Sequence, residues 1–123
     1  MKIEGQGKLL RIFIGEQDKY RGKPLFEAII ERLRELGIAG CTILRGIEGY
    51  GAASRVIHTA KILRLSEDLP IIIEIVDIEE RIKTALNILD EMIDEANSGV
   101  LITLERVEVL RYQPQAHIKQ PPK

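Results

Sequence analysis

Three glycines recur at short spacing in Gly46-Ile47-Glu48-Gly49-Tyr50-Gly51. Glycine reaches positive φ and admits close approach, so such a segment can turn backbone N–H groups onto an anion. Neither the spacing nor the residues that follow make a dinucleotide-binding fingerprint. A hinge in a surface loop would use the same residues. Ser98-Gly99 can meet a phosphate in a similar way, and serves equally well as a helix stop. Glu74 interrupts the apolar run Ile71-Ile72-Ile73-Glu74-Ile75-Val76. A carboxylate there has to be paired or hydrogen-bonded. It either accepts from a ligand or its ribose, or pairs with Arg106, Arg111 or a neighbouring chain. His58 has a side chain that titrates near neutral pH and can bind metal. Its candidate companions Cys41, Glu48 and Glu67 lack metal-ligand spacing. Arg45, Arg55, Lys61 and Arg64 bias the same region positive, which suits a phosphate, an acidic partner or simply water. Cys41 stands in an apolar strand with no adjacent base, so no activated nucleophile is visible.

The elements that must position these residues follow from hydrophobic spacing. Residues 8–14 alternate as a strand, with Leu10, Ile12 and Ile14 on one face and Leu9, Arg11 and Phe13 on the other. Pro24 can open a helix, because its missing N–H costs nothing in the first turn. Phe26, Ile29, Ile30 and Leu33 then recur at helical spacing, and Gly37 stops the helix. Residues 38–45 predict a second strand and 46–68 a long loop, a length that often carries function. Pro70 opens a third strand over 71–76. Asp77 and Glu80 have capping-box spacing for a second helix, whose buried stripe is Ile78, Ile82, Ala85, Leu89, Met92 and Ala96. Asn97-Ser98-Gly99 ends it, and a last strand runs from Val100 to about Tyr112.

The expected order is β-α-β-loop-β-α-β. That is the ferredoxin-like α+β sandwich, a four-stranded antiparallel sheet with two helices on one face. One domain is expected over 1–112, with a flexible tail over 113–123. Two helices cover only one face of such a sheet, while apolar residues occupy both, so the open face is expected to be buried against further copies of the chain.

Composition narrows the function classes. The chain has 123 residues, 45% hydrophobic and 30% charged, which suits one globular domain. A net charge of −1 and an aromatic share of 4% argue against a nucleic-acid-binding sheet face. No apolar run approaches the ~20 residues that span a bilayer, and the N-terminus lacks an apolar leader. A single cysteine permits no intrachain disulfide and fits a reducing compartment. A cytoplasmic protein without membrane insertion is the expectation.

Leu36-Gly37-Ile38-Ala39-Gly40-Cys41-Thr42-Ile43 followed by Gly49-Tyr50-Gly51 resembles the PII signalling proteins, which carry Gly-Ile-Thr-Gly-Met-Thr-Val and then Gly-Phe-Gly at the base of a long loop. The likeness continues at Leu69-Pro70, at Ile73-Glu74-Ile75-Val76 and around Arg106-Val107. It is closer to an uncharacterised PII-like family than to a true PII protein. The resemblance implies a non-enzymatic homotrimer with its sheets facing the centre. It implies an adenine nucleotide between subunits, no required cofactor, and a protein partner, here unknown, reached through the long loop. On matching positions Thr42 would face the adenine. Gly49, Tyr50 and Gly51 would bring backbone to the nucleotide, Glu74 and Val76 would line the base pocket, and Arg111 would reach phosphate.

The departures are informative. PII proteins hold phosphates with a glycine-rich loop of the kind Gly-Lys-Ile-Gly-Asp-Gly-Lys before the last strand. Here only Ala96-Asn97-Ser98-Gly99 precedes Val100, and Val109 replaces one of two C-terminal arginines. Fewer N–H donors and cations favour AMP or a cyclic nucleotide over ATP. Two alternatives remain on the same fold. One is a phosphate-ester or acylphosphatase-like hydrolase using Arg21, although no asparagine stands on the second strand. The other is a divalent-metal-binding trimer, for which no ligand cluster is present.

Overall fold

The computed structural model describes residues 4–52 and 68–115. Arg55, His58, Lys61, Arg64 and the tail from 116 lie outside the described residues. Strand β1 (Gly5–Gly15) leads into a small hairpin, β2 (Lys19–Tyr20) with β3 (Lys23–Pro24), then α1 (Leu25–Glu35) and β4 (Cys41–Arg45). Strand β5 (Pro70–Asp77), α2 (Glu79–Ala96) and β6 (Leu101–Val109) complete the order. The main sheet has four strands in the order β4-β5-β1-β6, every neighbouring pair antiparallel. This is the expected ferredoxin-like α+β plan.

Alternation builds the sheet. Leu10, Ile12 and Ile14 of β1 lie opposite Ile75, Ile73 and Ile71 of β5, and all six are buried under the helices. Burying each such side chain contributes ~1.5–3 kcal/mol. Helix α1 covers them with Leu25, Ala28, Ile29 and Leu33, and α2 with Ile82, Ala85, Leu89, Met92 and Ile93. Phe26 and Ile30, expected in the stripe of α1, are only half-buried, because Leu25 and Ala28 face the sheet instead. Among the described residues no helix is long and apolar enough to cross a membrane.

Several boundaries differ from the expectation, β1 starting already at Gly5, and three have a local reason. Ile38 N–H closes α1 by donating to Leu33 O (3.2 Å), so β4 starts at Cys41 rather than at 38. Strand β6 ends at Val109, opposite Gly5, where β1 has no further residue to pair. Asp77 is the last residue of β5 and not a helix cap. The N-cap position belongs to Ile78, with no side-chain cap. Because odd residues of β5 face the helices, the Asp77 carboxylate is fully buried. Its Oδ1 accepts from Ile78 N–H (2.7 Å), its Oδ2 accepts from Ala39 N–H (2.9 Å), and Arg81 Nε stands 3.8 Å away. One carboxylate thus ties the start of α2 to the entry of β4.

Candidate functional site

The face of the sheet away from the helices carries the odd residues of β1 and β6 and the even residues of β4 and β5. It reads in three bands. Phe13, Leu44, Ile72 and Leu101 make an apolar end. Leu9, Val76 and Val107 make the other. Between them Arg11 lies opposite both Glu74 and Thr103, and Thr42 lies opposite Glu74. Arg11 Nε donates to Glu74 Oε2 (2.8 Å) and Nη1 to Glu105 Oε1 (3.1 Å). The hydrogen bond to Glu74 raises the Arg11 pKa further, against partial desolvation. Glu74 is therefore paired in its own chain. The partner is Arg11, not Arg106 or Arg111.

At the border of the central band and the Val76 end lies an open recess of about 210 Å³, lined by Leu9, Ala39, Gly40, Cys41, Thr42, Glu74, Val76 and Tyr112. It brings together three of the expected ligand residues, Thr42, Glu74 and Val76. Cys41 adds a thiol that burial pushes up to about 11, so it stays protonated and poorly nucleophilic at neutral pH. Tyr112, which follows β6, arrives with its hydroxyl donating to Ala39 O (3.3 Å) and its N–H to Glu4 Oε2 (3.2 Å).

The glycine segment sits at the opposite end of the sheet. Gly46 N–H donates to Pro70 O (2.8 Å), so it is committed to the fold rather than to an anion. A Cβ at Gly46 would come within 3.0 Å of Pro70 Cγ, and Gly49 combines φ +154° with a 3.3 Å approach to the same atom. Glycine lets the chain pass close to Pro70 at both positions, and at Gly49 it also suits the positive φ. Tyr50 and Gly51 line a second, more apolar recess of about 260 Å³ with Phe13, Pro70 and Leu101. Arg45 is also occupied, donating to Glu16 Oε2 (2.5 Å).

Ser98 and Gly99 follow the left-handed Asn97 that closes α2. The Ser98 hydroxyl donates to Asp18 Oδ2 (2.6 Å), an oxygen that also accepts Gly15 N–H (2.9 Å). Serine here pins the turn after β1. Arg111 is exposed beyond β6, its guanidinium on Gln113. Gly5, paired with Val109, and Phe13, beside Tyr50, are roughly 26 Å apart at ~3.3 Å per residue. Within one chain, then, Arg111 and Tyr50 belong to different ends.

Arg21 makes a fork onto Glu95, Nε to Oε2 at 2.6 Å and Nη2 to Oε1 at 2.9 Å, and lies over the Tyr20 ring. In the folded chain the Arg21 guanidinium is thus engaged by Glu95. The hydrogen bonds from Arg21 hold the Glu95 carboxyl below its ordinary range. A lowered folded value means that the pair's contribution is present above the ordinary carboxylate pKa and fades as pH falls through the folded one. Arg21→Ala should therefore move the Glu95 titration midpoint upward, read by carboxyl-carbon NMR. An unmoved midpoint would show the pair to be open in solution.

Among the described residues no group of three or more His, Cys, Asp and Glu could hold a metal ion. Sequence reasoning missed Arg11, Leu9 and Tyr112. The alternation of β1 had already put Leu9 and Arg11 on the open face. For Tyr112 no local signal existed.

Comparison with known proteins bears on this arrangement. CPII, a nitrogen regulatory PII-like protein from Thiomonas intermedia K12, has been solved bound to ADP, AMP and bicarbonate. It superposes with a TM-score of 0.62 at 19% identity, over 86% of this chain and 90% of CPII. A PII-like signalling protein from Thermus thermophilus gives a TM-score of 0.57 at 24% identity, over 87% of this chain and 91% of that one. At these identities the likeness is one of fold. In sequence, a UPF0166 protein of Aquifex aeolicus (strain VF5) is 44% identical over 103 residues, 84% of this chain and 92% of the relative. A UPF0166 protein of Methanocaldococcus jannaschii is 42% identical over 97 residues, 79% and 86% of the two chains. The family model DUF190, "Uncharacterized ACR, COG1993", matches residues 7–109. With its ferredoxin-like sheet built in the manner of the PII-like signalling proteins, the chain belongs to the DUF190 (UPF0166) family.

Proposed function

We propose that this protein is a non-enzymatic, cytoplasmic regulator that binds an adenine nucleotide between the copies of a homotrimer and signals to a protein partner through the loop over 46–68. One PII-like domain over 1–112 would carry the site. The observation that supports it most is the convergence of Thr42, Glu74 and Val76 on one recess, in a fold shared with CPII, whose structures hold ADP and AMP. Gly49, Tyr50, Gly51, Ser98 and Gly99 stand at the other end of the sheet. They and Arg111 serve one ligand only if neighbouring copies bring the two ends together.

AMP or a cyclic nucleotide is the favoured ligand over ATP. The connection from α2 to β6 is a tight one, closed by Asn97 in the left-handed region at φ 55° and by Ser98 bonded to Asp18. It offers no long run of backbone N–H groups for a polyphosphate. A hydrolase of the acylphosphatase type is disfavoured by the engagement of Arg21 with Glu95.

The test is calorimetry with AMP, ADP, ATP and cyclic nucleotides on protein whose mass is fixed by light scattering. AMP should bind tighter than ATP. Thr42→Ala and Arg111→Ala should each lower AMP affinity, by about tenfold for a lost hydrogen bond and more for the lost charge. Tighter binding of ATP, or no nucleotide binding at all, would refute the assignment.

A further inference from the structure

The recess beside Thr42 has a wall that the family resemblance does not supply. Strand β6 leaves the sheet after Val109, and three residues later Tyr112 lines the same recess as Leu9, Thr42, Glu74 and Val76. The residue is tethered at its backbone and at its ring tip: the backbone N–H donates to Glu4 Oε2 (3.2 Å) and the hydroxyl donates to Ala39 O (3.3 Å). Ala39 is in turn fixed by its own N–H on the buried Asp77 carboxylate. Held at these two points, Tyr112 lines the recess together with apolar Leu9 and Val76 and two polar groups, Thr42 and Glu74, and brings an aromatic ring to them.

In the single chain the recess is small and open. At about 210 Å³ it is smaller than the ~300–1,000 Å³ of pockets that enclose a drug-sized ligand. It suits one planar ring system, not a whole nucleotide. Glu74 Oε2 is held by Arg11, and Oε1 has no hydrogen-bond partner among the described residues, so it can accept from an N–H on that ring.

We infer that Tyr112 is a ligand-binding residue, the aromatic wall that stacks on the face of a heteroaromatic base in the recess, while sugar and phosphate remain outside it. This rests on the proposed nucleotide-binding function and adds the side chain that recognises the base. Stacking is a property of the ring face, so phenylalanine can replace tyrosine and an aliphatic side chain of similar bulk cannot.

AMP affinity is to be measured by calorimetry on the full chain and on Tyr112→Phe, Tyr112→Leu and Tyr112→Ala, each checked for its fold by circular dichroism. Alanine and leucine should weaken AMP binding about 5- to 150-fold, the range of base–aromatic stacking. Phenylalanine should stay within about tenfold of the wild type, having lost only the bond to Ala39. Cys41 provides a second readout, since it is the chain's only cysteine and lines the recess. Saturating AMP should slow its alkylation by iodoacetamide, followed at alkaline pH where the raised thiol begins to ionise, in the wild type and in Tyr112→Phe. A Tyr112→Leu variant that binds AMP as the wild type does would overturn the wall and leave the nucleotide function standing. A Tyr112→Phe variant as weak as alanine would assign the effect to the hydroxyl tether, and would also overturn it. A wild-type chain that binds no AMP would overturn both.

Discussion

A chain carrying Leu44→Glu together with Leu101→Glu is expected to run as a folded monomer, and the wild type, if the proposed assembly holds, as a trimer. Both leucines lie on the open face, 44% and 53% exposed in the single chain, and with Phe13 and Ile72 they form its larger apolar end. An apolar patch of this kind beside a charged band is what assembly would cover. In the proposed trimer the two leucines contribute by leaving water, at roughly 25 cal/mol per Å². Glutamates in their place would have to be desolvated, which costs several kcal/mol per ion, and would crowd like charges around one axis. In the monomer the same carboxylates stay in water, so the fold should survive, with circular dichroism unchanged. Light scattering decides the matter. AMP binding should disappear with the assembly, because the Tyr50 end and the Arg111 end of one chain are roughly 26 Å apart and meet at one ligand only across copies. A double variant that keeps the wild-type mass would exclude the open face as the interface.

The order of elements was legible because each carries a short-range signal. Strands β1 and β5 alternate, α1 and α2 repeat their apolar residues at helical spacing, and Gly37 and Asn97 stop the helices. What was not legible depends on register. The sequence marks Glu74 as a carboxylate needing a partner, but only the pairing of β1 with β5 puts Arg11 opposite it. The arginines near the chain end were the plausible candidates until that register was known. Asp77 shows the opposite failure: its spacing to Glu80 matches a capping box, yet one more residue of strand turns the carboxylate inward. The glycines at 46 and 49 carry a true signal of close approach, but the atoms approached are those of Pro70. The apolar spacing of the last strand places Tyr112 at its end. Its place in the recess follows from where β1 begins and β6 therefore runs out of partner. At the candidate site, the residue types were visible along the chain and their neighbours across it were not.

Asp77→Ala is expected to cost about 3–5 kcal/mol of stability, a large share of the ~5–15 kcal/mol that holds a domain folded. The aspartate is fully buried and has three dependants, Ile78 N–H, Ala39 N–H and the Arg81 guanidinium. Alanine leaves two backbone donors without their acceptor, each costing ~1–3 kcal/mol, and removes the counter-charge of Arg81. Asp77→Asn distinguishes these contributions. The amide keeps one acceptor oxygen but presents an NH₂ to the second N–H, so one backbone bond survives and one becomes a clash of donors. Its loss should fall between wild type and alanine. Urea unfolding at one fixed protein concentration measures both, since the proposed assembly would make stability concentration-dependent. If Asp77→Ala unfolds within about 1 kcal/mol of the wild type, water has replaced the carboxylate and the tie between α2 and β4 is not structural. The asparagine variant also links stability to the site. If the amide turns its NH₂ toward Ala39, that residue is released, and the carbonyl that holds the Tyr112 hydroxyl moves with it. AMP affinity should then fall in a protein that is still folded. Affinity lost in Asp77→Asn, at a temperature where its unfolded fraction is negligible, would trace the position of the recess wall back to the buried end of β5.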